Sequence, residues 1–390
     1  SGLLDGAYRE GGELDLYAEF AADYIVRRDP NGYWCNWTGS SYVNPLAGVN
    51  GSISDIKEAP NGDIYVCGAF TSAGGVANTK GIARWSKANQ VWQAVGNPVT
   101  GATISNILTM AFDANGDLYV GGNFTNLAGI ANADYFAKYT VSTNTWGAIG
   151  SGINGDVNAI EIIPNGTIYI GGNFSSASGN ANCKRIAYWN GSAWAPLATG
   201  LNNGVLALKY HGAFLLIGGA FTNADGVNGD YICYWNGTAF KSYYDLGATE
   251  LNDSVFSIDV NPNGIIIIGG HFTNAGNDPK ADYVAAWRGN NWGSLEAGGL
   301  SGGGIYNVYK VRCASNGDIY ASGTFTTAGN LKVDRVARSV GGAWQRMDID
   351  LPNIHVPILA MLEASEGSFY LGGHFSTAGS SENATGGPMA

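Results

Sequence analysis

The sequence predicts an all-β fold, a closed β-propeller of four-stranded blades. Three observations carry the prediction. An apolar strand ending Gly-Gly-x-Phe-(Thr/Ser) recurs about every 51 residues, each period divides into four strand-like runs punctuated by turn residues, and no useful window shows the 3.6-residue period of a helix. The anchor phenylalanines are Phe70, Phe124, Phe174, Phe221, Phe272, Phe325 and Phe375, spaced by 54, 50, 47, 51, 53 and 50 residues.

The third repeat shows the elements in order. Val157 to Ile163 alternates apolar and polar positions, as a strand with one buried face does. Asn165-Gly166 predicts a two-residue hairpin, because glycine accepts positive φ. Thr167 to Phe174 is the second run, a small-residue loop covers Ser175 to Asn182, and Arg185 to Trp189 is the third run. Asn190-Gly191 then turns the chain into the fourth, Ala193 to Leu197. The same Asn-Gly pair stands at Asn61, Asn115, Asn263 and Asn316. The third run tends to end in an aromatic (Trp85, Tyr139, Trp189, Trp235, Trp287) and a second aromatic follows five to seven residues later. Recurrence in nearly every repeat marks these rings as core that packs between adjacent blades. The sixth repeat has Ser339 at the first of these positions and keeps Trp344.

Phe375 is followed by only 15 residues, too few for a third and fourth run. Trp37 to Ala47 reads like Trp189 to Ala198, so Tyr33–Ala47 is expected to complete the blade begun by Ile354–Phe375. Sharing one blade between the two ends of the chain closes the ring and leaves no open edges. This gives seven blades. The alternative is eight, because Gly12 to Phe20 also resembles a second run and Ala22-Asp23-Tyr24-Ile25 resembles Ala133-Asp134-Tyr135-Phe136. The expected organisation is a lead-in, extra strand or attachment segment over 1–30, one propeller domain over 31–375, and a Gly/Ser/Ala-rich tail over 376–390.

Composition narrows the function. Only 13% of residues are charged, the net charge is −11, and no cluster of Lys and Arg larger than Arg27-Arg28 exists, which argues against nucleic acid as a partner. No apolar run approaches the 18 residues of a membrane-spanning helix, so no membrane insertion is expected. The five cysteines are at least 32 residues apart and form no CxxC motif; they read as small buried hydrophobes. No metal and no cofactor are expected. Asp113-x-Asn115-x-Asp117 starts like a calcium loop but lacks the downstream Glu, and His271 and His374 share a repeat position that Asn and Ala fill in other blades. No Gly-x-Ser-x-Gly elbow, HExxH or P-loop occurs, so no enzyme is expected.

The Gly-Gly-x-Phe-(Thr/Ser)-x-Ala-Gly segments, followed by (Ile/Val)-Ala-x-Trp-Asn-Gly-x-x-Trp, resemble Kelch-like, galactose-oxidase-type propeller repeats over residues 31–375. Such arrays occur in bacteriophage tail or fibre proteins and in bacterial surface proteins. The resemblance therefore implies a virion or extracellular location. It also implies a binding or structural role towards a host-cell glycan or a neighbouring virion or surface protein, and it leaves room for a homo-oligomer. It carries over no site residues, because the spaced Tyr and Trp of true Kelch repeats stand in another frame here. Two alternatives remain: a polysaccharide hydrolase or lyase with carboxylates near the central channel, and a purely architectural ring.

Strand alternation puts the long loops of every blade on one face and the Asn-Gly hairpins on the other. Loops on a rigid scaffold are where ligands usually bind. The candidate ligand-binding residues are Asn126, Asn223, Asp225, Asn274 and Asp278, polar groups in the long loops. Asp134, Asp230, Asp282 and Asp334 recur at loop exits and are expected to accept backbone N–H bonds that fix each loop.

Overall fold

A computed structural model describes residues 19–21, 25–28, 34–35, 48–295, 299–301, 307–347, 349–350, 357–374 and 377–380. Among these residues there are seven four-stranded antiparallel sheets. Sheet 1 uses Ser52–Glu58, Ile64–Ala69, Ile82–Ser86 and Val91–Ala94, and sheets 2 to 6 repeat that plan, their first strands being Thr103–Phe112, Val157–Ile162, Val205–His211, Val255–Val260 and Val308–Cys313. Sheet 7 is composite: Ile358–Glu363 and Phe369–Gly373 pair with Ile25–Arg28 and Trp34–Cys35.

The Gly-Gly motif has a steric cause. In each sheet the second strand meets a β-bulge in the first, for example between Val157 and Ala159. A Cβ on Gly172 would sit 2.0 Å from the Asp156 carbonyl oxygen, and one on Gly323 would sit 1.8 Å from that of Asn307. The preceding glycine makes room for the next sheet: a Cβ on Gly171 would strike Val205, on Gly218 Val255, and on Gly269 Val308. The same relation takes Gly372 of sheet 7 against Ile53 of sheet 1.

The anchors Phe70, Phe124, Phe174, Phe221, Phe272 and Phe325 are all buried at 2% exposure or less. Phe375 lies outside the described residues. The paired aromatics stand directly opposite one another across the third and fourth strands, with centroids 5.5 Å apart for Trp85–Trp92 and 5.0 Å for Trp235–Phe240. They also reach the preceding sheet: Trp146 donates its indole N–H to the Val95 carbonyl and Trp194 to that of Ile149. Cys67, Cys183, Cys233 and Cys313 are free and buried, and burial raises the pKa of each thiol.

Three expectations change. The Asn-Gly turns at Asn61, Asn115, Asn165, Asn263 and Asn316 are not two-residue loops. Ala59 and Asp63 pair around Pro60-Asn61-Gly62, with the Gly62 N–H bonded to the Ala59 carbonyl and φ +84° at Gly62, a three-residue loop in which only glycine needs positive φ. The Asn side chain closes the turn by accepting the Asp63 N–H. Second, sheet 7 is completed by Trp34–Cys35, within the expected Tyr33–Ala47, together with Ile25–Arg28, so the sheet reaches back into the segment read as a lead-in over 1–30. Residues 36–47 lie outside the described residues. Third, the segment over 376–390 is not all tail: Thr377–Ser380 pairs with Glu19–Ala21 and with Ile349–Asp350 in a separate three-stranded sheet. That pairing gives Glu19–Ala21 a place outside the four-stranded sheets.

Candidate functional site

The first strand of each sheet is an edge strand, so its outward N–H and C=O groups need partners. Side chains of the neighbouring sheet supply them. Asp55 Oδ2 accepts the Met110 N–H at 3.0 Å, Glu161 Oε1 accepts that of Tyr210 at 2.9 Å, and Asp259 Oδ2 accepts that of Cys313 at 2.8 Å. Ser257 Oγ accepts the Val311 N–H, and the Asn158 amide donates to the Val205 carbonyl. These side chains line a cavity of about 150 Å³ where the first strands converge.

The cavity is strongly charged. Lys57 Nζ lies 3.1 Å from Asp55 and Lys209 Nζ 2.7 Å from Asp259, with Arg312 3.9 Å from the other oxygen of Asp259. Burial pushes the Asp259 pKa up, but the Lys209 and Arg312 cations and the Cys313 N–H outweigh it and hold the carboxyl below its ordinary value. At Glu161 burial wins over the Tyr210 N–H and the Lys209 charge, and the pKa is raised. Lys310 lines the same space. Enclosure by protein lowers its pKa, opposed by the Asp55 charge.

The long-loop face presents the other candidate surface. Two of the loop-exit aspartates hold their loops, Asp134 Oδ1 accepting the Asn126 N–H at 2.7 Å and Asp282 Oδ1 that of Asn274 at 2.8 Å, whereas Asp230 Oδ2 is buried without a hydrogen-bond partner among the described residues. The residue after each of these aspartates takes a left-handed conformation, φ +61° at Tyr135 and +64° at Tyr283.

The five predicted ligand-binding residues fall into two groups. Asn126 and Asn274 are exposed and left-handed, at φ +50° and +52°, in the equivalent loops of sheets 2 and 5, and their backbones are clamped as described. The other three hold their own loops. Asn223 accepts the Gly226 N–H, Asp225 bonds the Thr199 hydroxyl, and Asp278 accepts the N–H groups of Lys280 and Ser294. Those bonds, with the nearby Lys280 charge, outweigh burial and lower the Asp278 pKa. Sequence reasoning missed the channel charges, because each repeat contributes only one or two and their convergence is a property of the packed sheets.

A family model described as the Rax2 C-terminal beta propeller domain matches residues 103–192, under a quarter of the chain. No curated protein matches the sequence significantly. Among solved structures, the chain is similar to the WD40 beta propeller domain of Doa1 (16% identity, TM-score 0.51, covering 86% of this chain and 95% of that one). It is also similar to U3-55K (15% identity, TM-score 0.54, covering 86% and 97%). A third is the extracellular domain of the putative one component system BT4673 from B. thetaiotaomicron (13% identity, TM-score 0.54, covering 88% of this chain and 40% of that one). At these identities the likeness shows the fold alone: the chain is a β-propeller protein with four-stranded antiparallel blades.

Proposed function

We propose that the chain is a closed, seven-bladed propeller that acts as a non-enzymatic binding module, with its ligand on the long-loop face. Closure is supported by Gly372 packing on Ile53 and by the composite seventh sheet. The observation that carries the functional reading is the state of the channel carboxylates. Asp55 and Asp259 each accept two backbone N–H bonds and a Lys ammonium, so both oxygens are spent on holding neighbouring strands together. At about 150 Å³ the channel is also smaller than the roughly 300–1,000 Å³ of ordinary small-molecule sites.

The long loops are a better surface for a glycan or a neighbouring protein. They are clamped at their bases and carry exposed amides at Asn126 and Asn274. A virion or extracellular setting rests on the repeat resemblance. It is in line with the extracellular description of BT4673, and a polypeptide ligand is in line with YCF48, a further similar structure (14% identity, TM-score 0.50), which is solved bound to D1 peptide.

A second reading, a polysaccharide hydrolase, is favoured by one observation: Glu161 is raised and Asp259 lowered in the same channel, as in an acid and base pair. The test is incubation with immobilised polysaccharides, scoring retention and released reducing ends together. Retention without release supports the binding module. Release that disappears in Glu161→Gln supports the hydrolase.

A further inference from the structure

At five junctions an aromatic ring near the end of the third strand belongs to the same apolar cluster as a residue on the second strand of the preceding sheet. Trp85 shares a cluster with Tyr370, Tyr139 with Tyr65, Trp189 with Tyr119, Trp235 with Tyr169 and Trp287 with Leu216. The junction between sheets 5 and 6 departs from this on both sides. Ser339 replaces the ring, since it stands opposite Ile319 as Trp85 stands opposite Ile64. Ile267 occupies the position of Tyr65, Tyr119 and Tyr169, and faces Ala286 across its own sheet where Tyr65 faces Arg84. The hairpin after Ser339 carries Gly341-Gly342, with no side chain to cover the gap.

The two missing rings, at Ser339 and Ile267, converge on one place, where a cavity of about 290 Å³ lies. Its walls include Ile265, Ile267, Leu295 and Ile319, and Ser339 supplies a hydroxyl. Asn263 and Arg288 stand among its lining residues, the Arg288 guanidinium also donating to the Ser294 carbonyl. The cavity lies between the two sheets near their hairpins, away from the long-loop face.

We propose that this cavity is a binding site for a planar aromatic ring of one or two fused cycles. The sister junctions define the shape: the same space holds a Trp or Tyr ring elsewhere in this chain. The apolar walls supply the affinity, and the Ser339 hydroxyl and Asn263 amide supply partners for an indole N–H or a phenol O–H. The ring can come from a free small molecule or from an aromatic side chain of a partner polypeptide.

The test is ¹⁹F NMR of 5-fluoroindole titrated with the full chain, alongside competition by N-acetyltryptophanamide. Saturable broadening is expected with the wild type. Ser339→Trp, which restores the sister ring, should weaken binding by at least about tenfold, since its indole takes the space the ligand ring would fill. Ile267→Tyr fills the cavity from the other wall and should do the same if Ser339→Trp fails to fold. Competition by N-acetyltryptophanamide assigns the site to a partner's side chain, and its failure beside good indole binding assigns it to a free aromatic. No saturable signal with the wild type, or undiminished binding in a folded, filled variant, overturns the proposal.

Discussion

Ser365 and Glu58 are 307 residues apart and share two hydrogen bonds, the Ser365 N–H to Glu58 Oε2 at 2.7 Å and its hydroxyl to Oε1 at 2.5 Å. They tie the hairpin of sheet 7 to the first strand of sheet 1. Glu363 repeats the device one sheet back, accepting the N–H and hydroxyl of Ser315. Lys87 adds an ion pair to Glu366 of the same sheet 7 hairpin. The pair is exposed, so Glu58→Ala should cost about 1 kcal/mol, the worth of charge-assisted bonds that water partly replaces. Ser365→Ala keeps the N–H bond and should cost less. Urea denaturation of both variants checks the order.

Substitutions at the two kinds of glycine should separate cleanly. Gly172→Ala drives a methyl group into the Asp156 carbonyl and should destabilise by about 3 kcal/mol or more, with loss of soluble protein as the extreme. Gly166→Ala faces open space at φ +86° and should cost only about 1 kcal/mol, the price of a left-handed alanine. Equal losses in the two would sink the account of the bulge.

The channel ion pairs predict an acid limb. The folded pKa of Asp259 lies below its ordinary value, so the stability it contributes is present above the unfolded pKa and is lost as pH falls through the folded pKa. Lys209→Met removes its nearest cation, which is itself partly exposed, and should cost about 1–2 kcal/mol at neutral pH. The difference from wild type should shrink in acid. Thermal melts across pH 2–7 are the check.

Asp230 predicts the opposite slope. Burial first, and then the Glu250 charge, raise its pKa to about 6. The folded state therefore holds the extra proton, and the stability this gives is full below the unfolded pKa and lost as pH rises through about 6. Asp230→Asn should melt about 1–2 °C above the wild type near pH 7.5, with no difference near pH 4. A lower Tm at neutral pH would show that the charge is needed for the loop.

On the long-loop face, Asn126→Gly and Asn274→Gly remove the amides while keeping a residue that accepts positive φ. Retention on the bound glycan or protein should fall several-fold with Tm unchanged. Unchanged retention in the double variant would move the ligand elsewhere.

Much of this architecture was readable in the sequence because its causes are local. Gly-Gly-x-Phe marks a bulge, a close approach and a buried ring within a few residues. Asn-Gly marked the first hairpin of five sheets, but loop length depends on which flanking residues pair, which a dipeptide does not specify. The third strand of sheet 7, Ile25–Arg28, was missed because Trp37 to Ala47 has the aromatic spacing of a third and fourth run. The better cue was polar. Arg27 stands opposite Tyr370 as Arg84 stands opposite Tyr65, Lys138 opposite Tyr119 and Arg338 opposite Tyr320. A cation over a tyrosine, 5.3 Å from the ring centroid at Lys138, identifies the third strand even where the terminal aromatic is missing. The channel was invisible for a different reason: Glu161 and Asp259 both stand 13 residues before their anchor phenylalanines, but Lys57 and Arg312 hold that place in other repeats and Asp55 lies two residues before it, so no one residue type marks the position.

The composite sheet also sets an order of events during synthesis. Ile25–Arg28 leaves the ribosome long before Phe369–Gly373, its partner in the ladder. Six sheets are each made from one continuous stretch and can form as they emerge, while this early strand waits through some 340 residues of translation for the partner of one edge, its other edge being paired by the nearby Trp34–Cys35. Sheet 7 is therefore the last of the seven to be completed. The waiting strand, with its two arginines, is the segment a nascent-chain chaperone would have most reason to shield.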